Sequence, residues 1–236
     1  MIASHRTNTT PRALPVLLTA AVVAVLGFCN VMQAASVRFL PLSDEIAERK
    51  IGLQDGKALT PLADLNVRKR SKAYTCKTGK KPLTLVALDR QRPNGKPSGV
   101  EIVLPPEMKS PLVLILASAT DLSGMRAIVI EDDSKDFPWG ALRFINTTEK
   151  PLMIRYDKET KVIPEPLKPV DVIPGGEARN IGIQLFSEAE PTTILYSAVW
   201  EHDPNLRKLV FILPQADPAQ KELKLEIIPQ DKRVKD

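Results

Sequence analysis

Aromatic residues make up 5% of this sequence, and histidine and cysteine occur twice each. One of each, His5 and Cys29, falls near the N-terminus. The rest of the chain holds one histidine, His202, and one cysteine, Cys76. A single cysteine excludes an intramolecular disulfide there, and a lone histidine has no second one to complete a zinc site, so no metal and no cofactor is expected. Neither of the glycine-rich phosphate loops, G-x-x-x-x-G-K-[ST] and G-x-G-x-x-G, is present, and no G-x-S-x-G elbow exposes a nucleophile. No helical pattern of ten or more residues separates consecutive apolar runs, which excludes the crossovers of a parallel α/β sheet. Proline is the opposite case: 21 prolines argue against a helical bundle, because proline removes a backbone donor and breaks helix interiors.

Acid is absent ahead of Asp44, and Arg6 and Arg12 are the only formal charges before Val37. An apolar run from Ala13 to Cys29 follows them, interrupted by Pro15, Thr19 and Gly27. Then comes Gln33-Ala34-Ala35-Ser36. A basic start, a short apolar stretch and small residues at −3 and −1 predict a signal peptide over residues 1–36. Cleavage before Val37 uses Ala34 and Ser36; cleavage after Ala34 or Ala35 suits nearly as well. The alternative is an uncleaved anchor, but this run is shorter than the ~20 apolar residues a membrane crossing needs, and it contains a proline. Acylation at Cys29 is a weaker alternative, because Phe28 stands where a small residue is wanted. No later apolar stretch exceeds eight residues, so no membrane span is expected in the mature chain. The expected location is the periplasm or the exterior, with anchoring through an uncleaved N-terminal segment as the alternative. Without residues 1–36 the net charge falls from +5 to +3. That mild excess is not the footprint of a nucleic-acid binder.

Residues 37–70 read as an irregular arm, or a short strand packed on the main body, with a helical turn or two after Ser43 and a turn at Asp55-Gly56. From Ser71 the period is two. Leu83, Leu85 and Ala87 alternate with Thr84, Val86 and Leu88, and Leu223 to Ile227 is a half-buried strand. Leu112 to Ala117 and Leu209 to Leu213 are apolar on both faces, the mark of central strands. Turn clusters lie between these runs, among them Pro93-Asn94-Gly95, Asn146-Thr147-Thr148 and Pro174-Gly175-Gly176. The pattern predicts an all-β fold over residues 71–236, an antiparallel β-sandwich of about 8–11 strands. Two small sandwiches split near 135–140 are the alternative, although no internal repeat is visible.

Candidate sites are few, and no residue is assigned a catalytic role. Arg68, Lys69, Arg70, Lys72, Lys77, Lys80 and Lys81 form a basic run that would suit an anionic polymer or lipid; we read it as a solvated loop and strand edge. Glu131-Asp132-Asp133-Ser134-Lys135-Asp136 lacks the spacing of a calcium loop and reads as a solvated turn. His202 reads as a strand-end surface residue, and Cys76 has no histidine at motif distance. Asn146-Thr147-Thr148 matches a glycosylation sequon and equally suits a hairpin turn. Tyr196 and Trp200 share one strand face and read as core. Trp139, in Phe137-Pro138-Trp139-Gly140, stands evenly between core and an exposed ring that stacks on a sugar.

The block from Phe137 to Thr148, the Pro-Gly-Gly hairpin, Tyr196-Ser-Ala-Val-Trp200 and Arg207-Lys-Leu-Val-Phe-Ile212 resembles a family of exported bacterial β-sandwich proteins of unknown function. The resemblance spans roughly residues 80–230. It implies a signal peptide and a sandwich, and no activity. The expected function is a non-enzymatic binding or scaffolding module of the cell envelope. Its partner would be an envelope protein or an anionic polymer, met through Trp139 and the basic residues Arg68, Lys69, Arg70 and Lys72. The alternatives are an envelope-polymer hydrolase and a carbohydrate-binding domain.

Overall fold

The computed structural model describes residue 1 and residues 34–77, 82–91, 95, 97–164, 166–213 and 223–234. The N-terminal apolar run, Cys29, Lys80, Lys81 and the Pro93-Asn94 turn signal lie outside these residues, as does Pro214. Along the chain the elements are β1 (Ala34–Pro41), α1 (Asp44–Ala47), β2 (Ile51–Asp55), β3 (Ala58–Pro61), β4 (Tyr74–Lys77), β5 (Leu83–Gln91), β6 (Pro97–Ile102), β7 (Pro111–Ala117) and β8 (Met125–Glu131). Then come β9 (Leu142–Asn146), β10 (Leu152–Tyr156), β11 (Glu159–Ile163), β12 (Val170–Val172), β13 (Arg179–Ser187), β14 (Ile194–His202), β15 (Leu206–Leu213) and β16 (Lys224–Asp231). The fold is all-β, as expected. The described residues form sixteen strands rather than 8–11. The excess comes from strands of three to five residues, such as β4, β11 and β12, too short to display a period of two.

The stretch 37–70 is more regular than an arm. Strand β1 lies inside a sheet, flanked by β4 and β7, and β2 lies between β3 and β5. Helix α1 is a single turn whose Ser43 hydroxyl accepts the Ile46 N–H at 3.4 Å, the cap anticipated from sequence. Gly56, at φ +61°, makes the two-residue β2–β3 hairpin, where a right-twisted ribbon requires a positive φ.

Among the described residues four four-stranded sheets form, in the orders β4-β1-β7-β8, β3-β2-β5-β6, β12-β9-β15-β16 and β11-β10-β13-β14. Adding eight to each strand number of the first pair reproduces the second pair. The correspondence extends to pairing sense. Most neighbours are antiparallel, but β1 runs parallel to β7 and β9 parallel to β15, so the sheets are mixed rather than purely antiparallel. It extends to the hairpins too, since Asp157 at φ +48° turns β10 into β11 as Gly56 turns β2 into β3. The described residues make two copies of one eight-stranded topology. The only sequence trace we find is Val37-Arg38-Phe39-Leu40 in β1 against Leu142-Arg143-Phe144-Ile145 in β9.

Three apolar layers hold the sheets. One lies within the first copy, around Phe39, Leu85 and Val113. A second lies within the second copy, around Phe144, Ile183 and Val210. The third joins β1, β7 and β8 to β9, β15 and β16 through Leu40, Leu112, Leu114, Ile130, Ile145, Leu209, Phe211 and Ile228. Both strands that are apolar on two faces meet there. β7 sends Val113 and Ile115 into the first layer and Leu112 and Leu114 into the third. β15 sends Val210 and Ile212 into the second layer and Leu209 and Phe211 into the third.

Candidate functional site

The connector between β8 and β9, residues 132–141, crosses one end of the third layer; Ser134, Lys135 and Asp136 are exposed, as a solvated turn requires, but Asp132 departs from that reading. Asp132 is 5% exposed. Its carboxylate accepts Arg70 Nε at 2.7 Å and Nη2 at 3.0 Å, and Arg207 Nη2 stands 3.6 Å away. Arg70 therefore departs from the solvated reading of the basic run: it is buried against Asp132. A bidentate fork explains why arginine serves there. The Glu131 carboxylate accepts the N–H groups of Lys109, Ser110, Asp132 and Asp133, satisfying backbone donors rather than an ion.

Arg207, at the start of β15, organises the rest. It donates to Gln230 Oε1 at 2.8 and 2.6 Å, and to the carbonyls of Asp132 at 2.9 Å and Phe137 at 3.0 Å. Its guanidinium lies 5.0 Å from the ring centroids of both Phe137 and Trp139. Burial pushes it below its ordinary pKa, with Asp132 opposing that and the guanidiniums of Arg70, Arg143 and Arg38 reinforcing it. Arg143 stands 4.5 Å from the Phe137 centroid and is held by Asp171 at 2.7 Å. It also donates to the carbonyls of Glu131 and Asp136.

Above this network opens a cleft of about 280 Å³, lined by Ser36 and Arg38 of β1, Ser110, Pro111, Asp132, Asp133, Ser134, Trp139, Arg207 and Gln230. Trp139 is half-buried. Of the residues expected to meet a ligand, only Trp139 lines the cleft, and Arg70 lies beneath it; Asp132, Asp133 and Ser134 of the acidic turn line it too. Arg68, Lys69 and Lys72 are exposed and do not line it; the Lys72 ammonium lies 5.6 Å from the Tyr74 ring centroid. Sequence reasoning missed Arg38 and did not see that Asp132, read as part of a solvated turn, and Arg207 come together here. A usable signal was present for Arg38 and Arg143, each an arginine inside an apolar strand segment, where charge must be paired or directed to an open end of the layer.

A shallower hollow of about 520 Å³ lies on the outer faces of β10, β13 and β14, over Arg155, Gly182, Gln184, Ser197 and Val199. Lining neither hollow, His202 is 3% exposed, which corrects its reading as a surface residue, and its Nε2 has no hydrogen-bond partner among the described residues. The Cys76 thiol is buried, and burial pushes its pKa up to about 11. Asn146 is fully buried, its amide donating to the Lys150 carbonyl at 2.8 Å and accepting the Thr148 N–H at 2.9 Å. That is the hairpin-turn role, and it leaves no exposed amide for a glycan. Trp200 is core, and its indole N–H donates to the Tyr196 hydroxyl at 3.0 Å. Among the described residues no group of three or more His, Cys, Asp or Glu could hold a metal ion, and no helix is long and apolar enough to cross a membrane. No protein-family model matches the chain, and no curated protein matches it.

Proposed function

We propose that the chain is an exported, non-enzymatic binding module of the cell envelope that takes its ligand in the cleft at Trp139. The observation that carries this reading is the cleft itself. It joins an indole to serine hydroxyls and charged groups of both signs, and a buried arginine–aspartate network fixes its floor. Such a surface suits a sugar ring, which offers an apolar face to an indole and hydroxyls to polar side chains. A strongly anionic polymer is a poorer match, because Asp132 and Asp133 offset Arg38 and Arg207.

Hydrolysis is the weaker reading. A glycosidase works with a pair of carboxylates, one on each side of the scissile bond. Of the two in this cleft, Asp132 has both oxygens held by Arg70. Cys76 and His202 are buried elsewhere, and neither lines the cleft.

Export rests on the N-terminal pattern of two arginines, an apolar run and Ala34-Ala35-Ser36. The register of β1 favours cleavage after Ala34. Ala35 pairs with Cys76 and is buried in the first layer, and Ser36 lines the cleft, so cutting before Val37 would remove both. Fractionation and intact mass of the processed protein test the export, with a start at Ala35 expected. A species retaining residues 1–34, or one acylated at Cys29, overturns it. Binding to arrayed envelope glycans tests the cleft. Trp139→Ala should weaken retention about tenfold or more, with the melting temperature within a few degrees of the parent. Retention unchanged in Trp139→Ala, or release of sugar fragments from the polymer, overturns the binding-module reading.

A further inference from the structure

The duplicated topology supplies an internal comparison between strands in equivalent places. Strands β6 and β14 each close the outer sheet of their copy as an edge. β6 has six residues, begins with Pro97 and carries Glu101. Shortness, proline and charge are the usual means of protecting an edge from foreign strands. β14 has nine residues, and Ile194-Leu195-Tyr196-Ser197-Ala198-Val199-Trp200 contains neither a charge nor a proline. These are strand-forming side chains, and Val199 is 70% exposed. Among the described residues, one backbone bond reaches the free side of β14, from the Leu223 N–H to the Leu195 carbonyl at 3.2 Å. The Lys208 ammonium also donates to the Glu201 carbonyl at 2.8 Å. Among the described residues the rest of Tyr196–His202 is left as an open, hydrogen-bonding edge.

We infer that β14 is a homodimerisation edge, pairing antiparallel with β14 of a second copy about a two-fold axis at Val199. The occupant is a second copy because the segment is complementary to itself. An antiparallel ladder centred on Val199 uses the whole open edge, placing Tyr196 opposite the partner's His202 and Ala198 opposite the partner's Trp200. It covers the exposed valine with its own mate, as a closed two-fold interface requires. It is also compatible in charge. Glu201 is the only acidic residue of the segment, and this register sets it opposite Ser197, never against the other Glu201. On its own sheet Ser197 faces Gln184, and Gln184 faces Arg155, so the arriving carboxylate meets donors. A shift of one residue would turn the outward faces of the two strands to opposite sides. The two outer sheets then join as one eight-stranded sheet across the axis.

Sedimentation equilibrium on the protein as the cell processes it tests this over about 1–100 μM, a range in which moderate affinities register. A monomer–dimer equilibrium is expected. Val199→Lys, an exposed change that places two ammonium groups together on the axis, should raise the dissociation constant about tenfold or more. Two further variants read the register. Ser197→Glu sets carboxylate against Glu201 and should weaken the dimer, whereas Ser197→Lys should tighten it. Thermal melts of each variant confirm that the fold is kept. A monomer throughout, a dimer indifferent to Val199→Lys, or the two Ser197 variants moving the constant in the same direction overturns the proposal.

Discussion

Asp132 shows how one buried acid organises a surface. It sits between Arg70 and Arg207, and its removal leaves two guanidiniums out of water without their anion. Asp132→Ala is therefore expected to cost about 3–5 kcal/mol in urea unfolding, in the range for breaking a buried pair from one side. Replacing Arg70 and Asp132 together by apolar residues should cost less than the sum of the single changes, since the stranded charge goes too. His202 makes a different statement. Burial, with the Arg179 guanidinium second, holds its imidazole below the ordinary histidine value of about 6.5. The unfolded chain then binds the proton more readily than the folded one. This contribution to stability is complete above pH of about 6.5 and is lost as pH falls toward the lower folded value. Urea midpoints between pH 8 and pH 5 should fall more steeply on the acid side for the parent protein than for His202→Leu.

At the scale of elements, β15 carries the clearest expectation. A strand apolar on both faces must be central with both faces covered, because a wetted face would forfeit roughly 25 cal/mol per Å² of apolar area. β15 lies between β9 and β16 with Leu209, Val210, Phe211 and Ile212 all buried. What covers its second face is neither a loop nor an arm alone but the sheet containing β1 and β7. Phe211→Ala should cost about 3–5 kcal/mol, the lost transfer energy plus the cavity left behind. Lys224→Ala, exposed at the start of β16, should change stability by no more than about 0.5 kcal/mol. Denaturant unfolding of the two variants checks both figures, and a mild Phe211→Ala would show that the third layer relaxes around the loss.

For the whole molecule, the third layer decides whether two topological copies behave as one folding unit. Equivalent faces meet in it: Leu40 and Ile145, Leu112 and Leu209, Leu114 and Phe211, Ile130 and Ile228. This resembles the self-complementary contact of a two-fold dimer, made within one chain. Two sandwiches sharing so apolar a layer should unfold together, so far-UV circular dichroism and tryptophan fluorescence should trace one transition. Both tryptophans, Trp139 and Trp200, belong to the connector and the second copy. Leu114→Asp, which sets a carboxylate in the layer, should separate the two signals as the copies lose their coupling.

The sequence by itself determined what depends on local period and turn chemistry. It determined the all-β class, the two strands with buried faces on both sides, the Ser43 cap, the Asp55-Gly56 turn and the core place of Trp200, with Tyr196 half-buried against it. Side-chain alternation is a property of the strand alone, and a tight turn depends only on its own residues. Only the tertiary structure decided which strands pair and which charges are inside. Arg70 and Asp132 lie 62 residues apart and read separately as solvated charges, because nothing in either neighbourhood announces the other. His202 reads as a strand end until Gly140 of the connector packs against its imidazole. The duplication was hidden for the same reason. A topology can be repeated by any residues that keep the apolar alternation, so the two copies share strand order and pairing sense while V-R-F-L and L-R-F-I are all that their sequences visibly share.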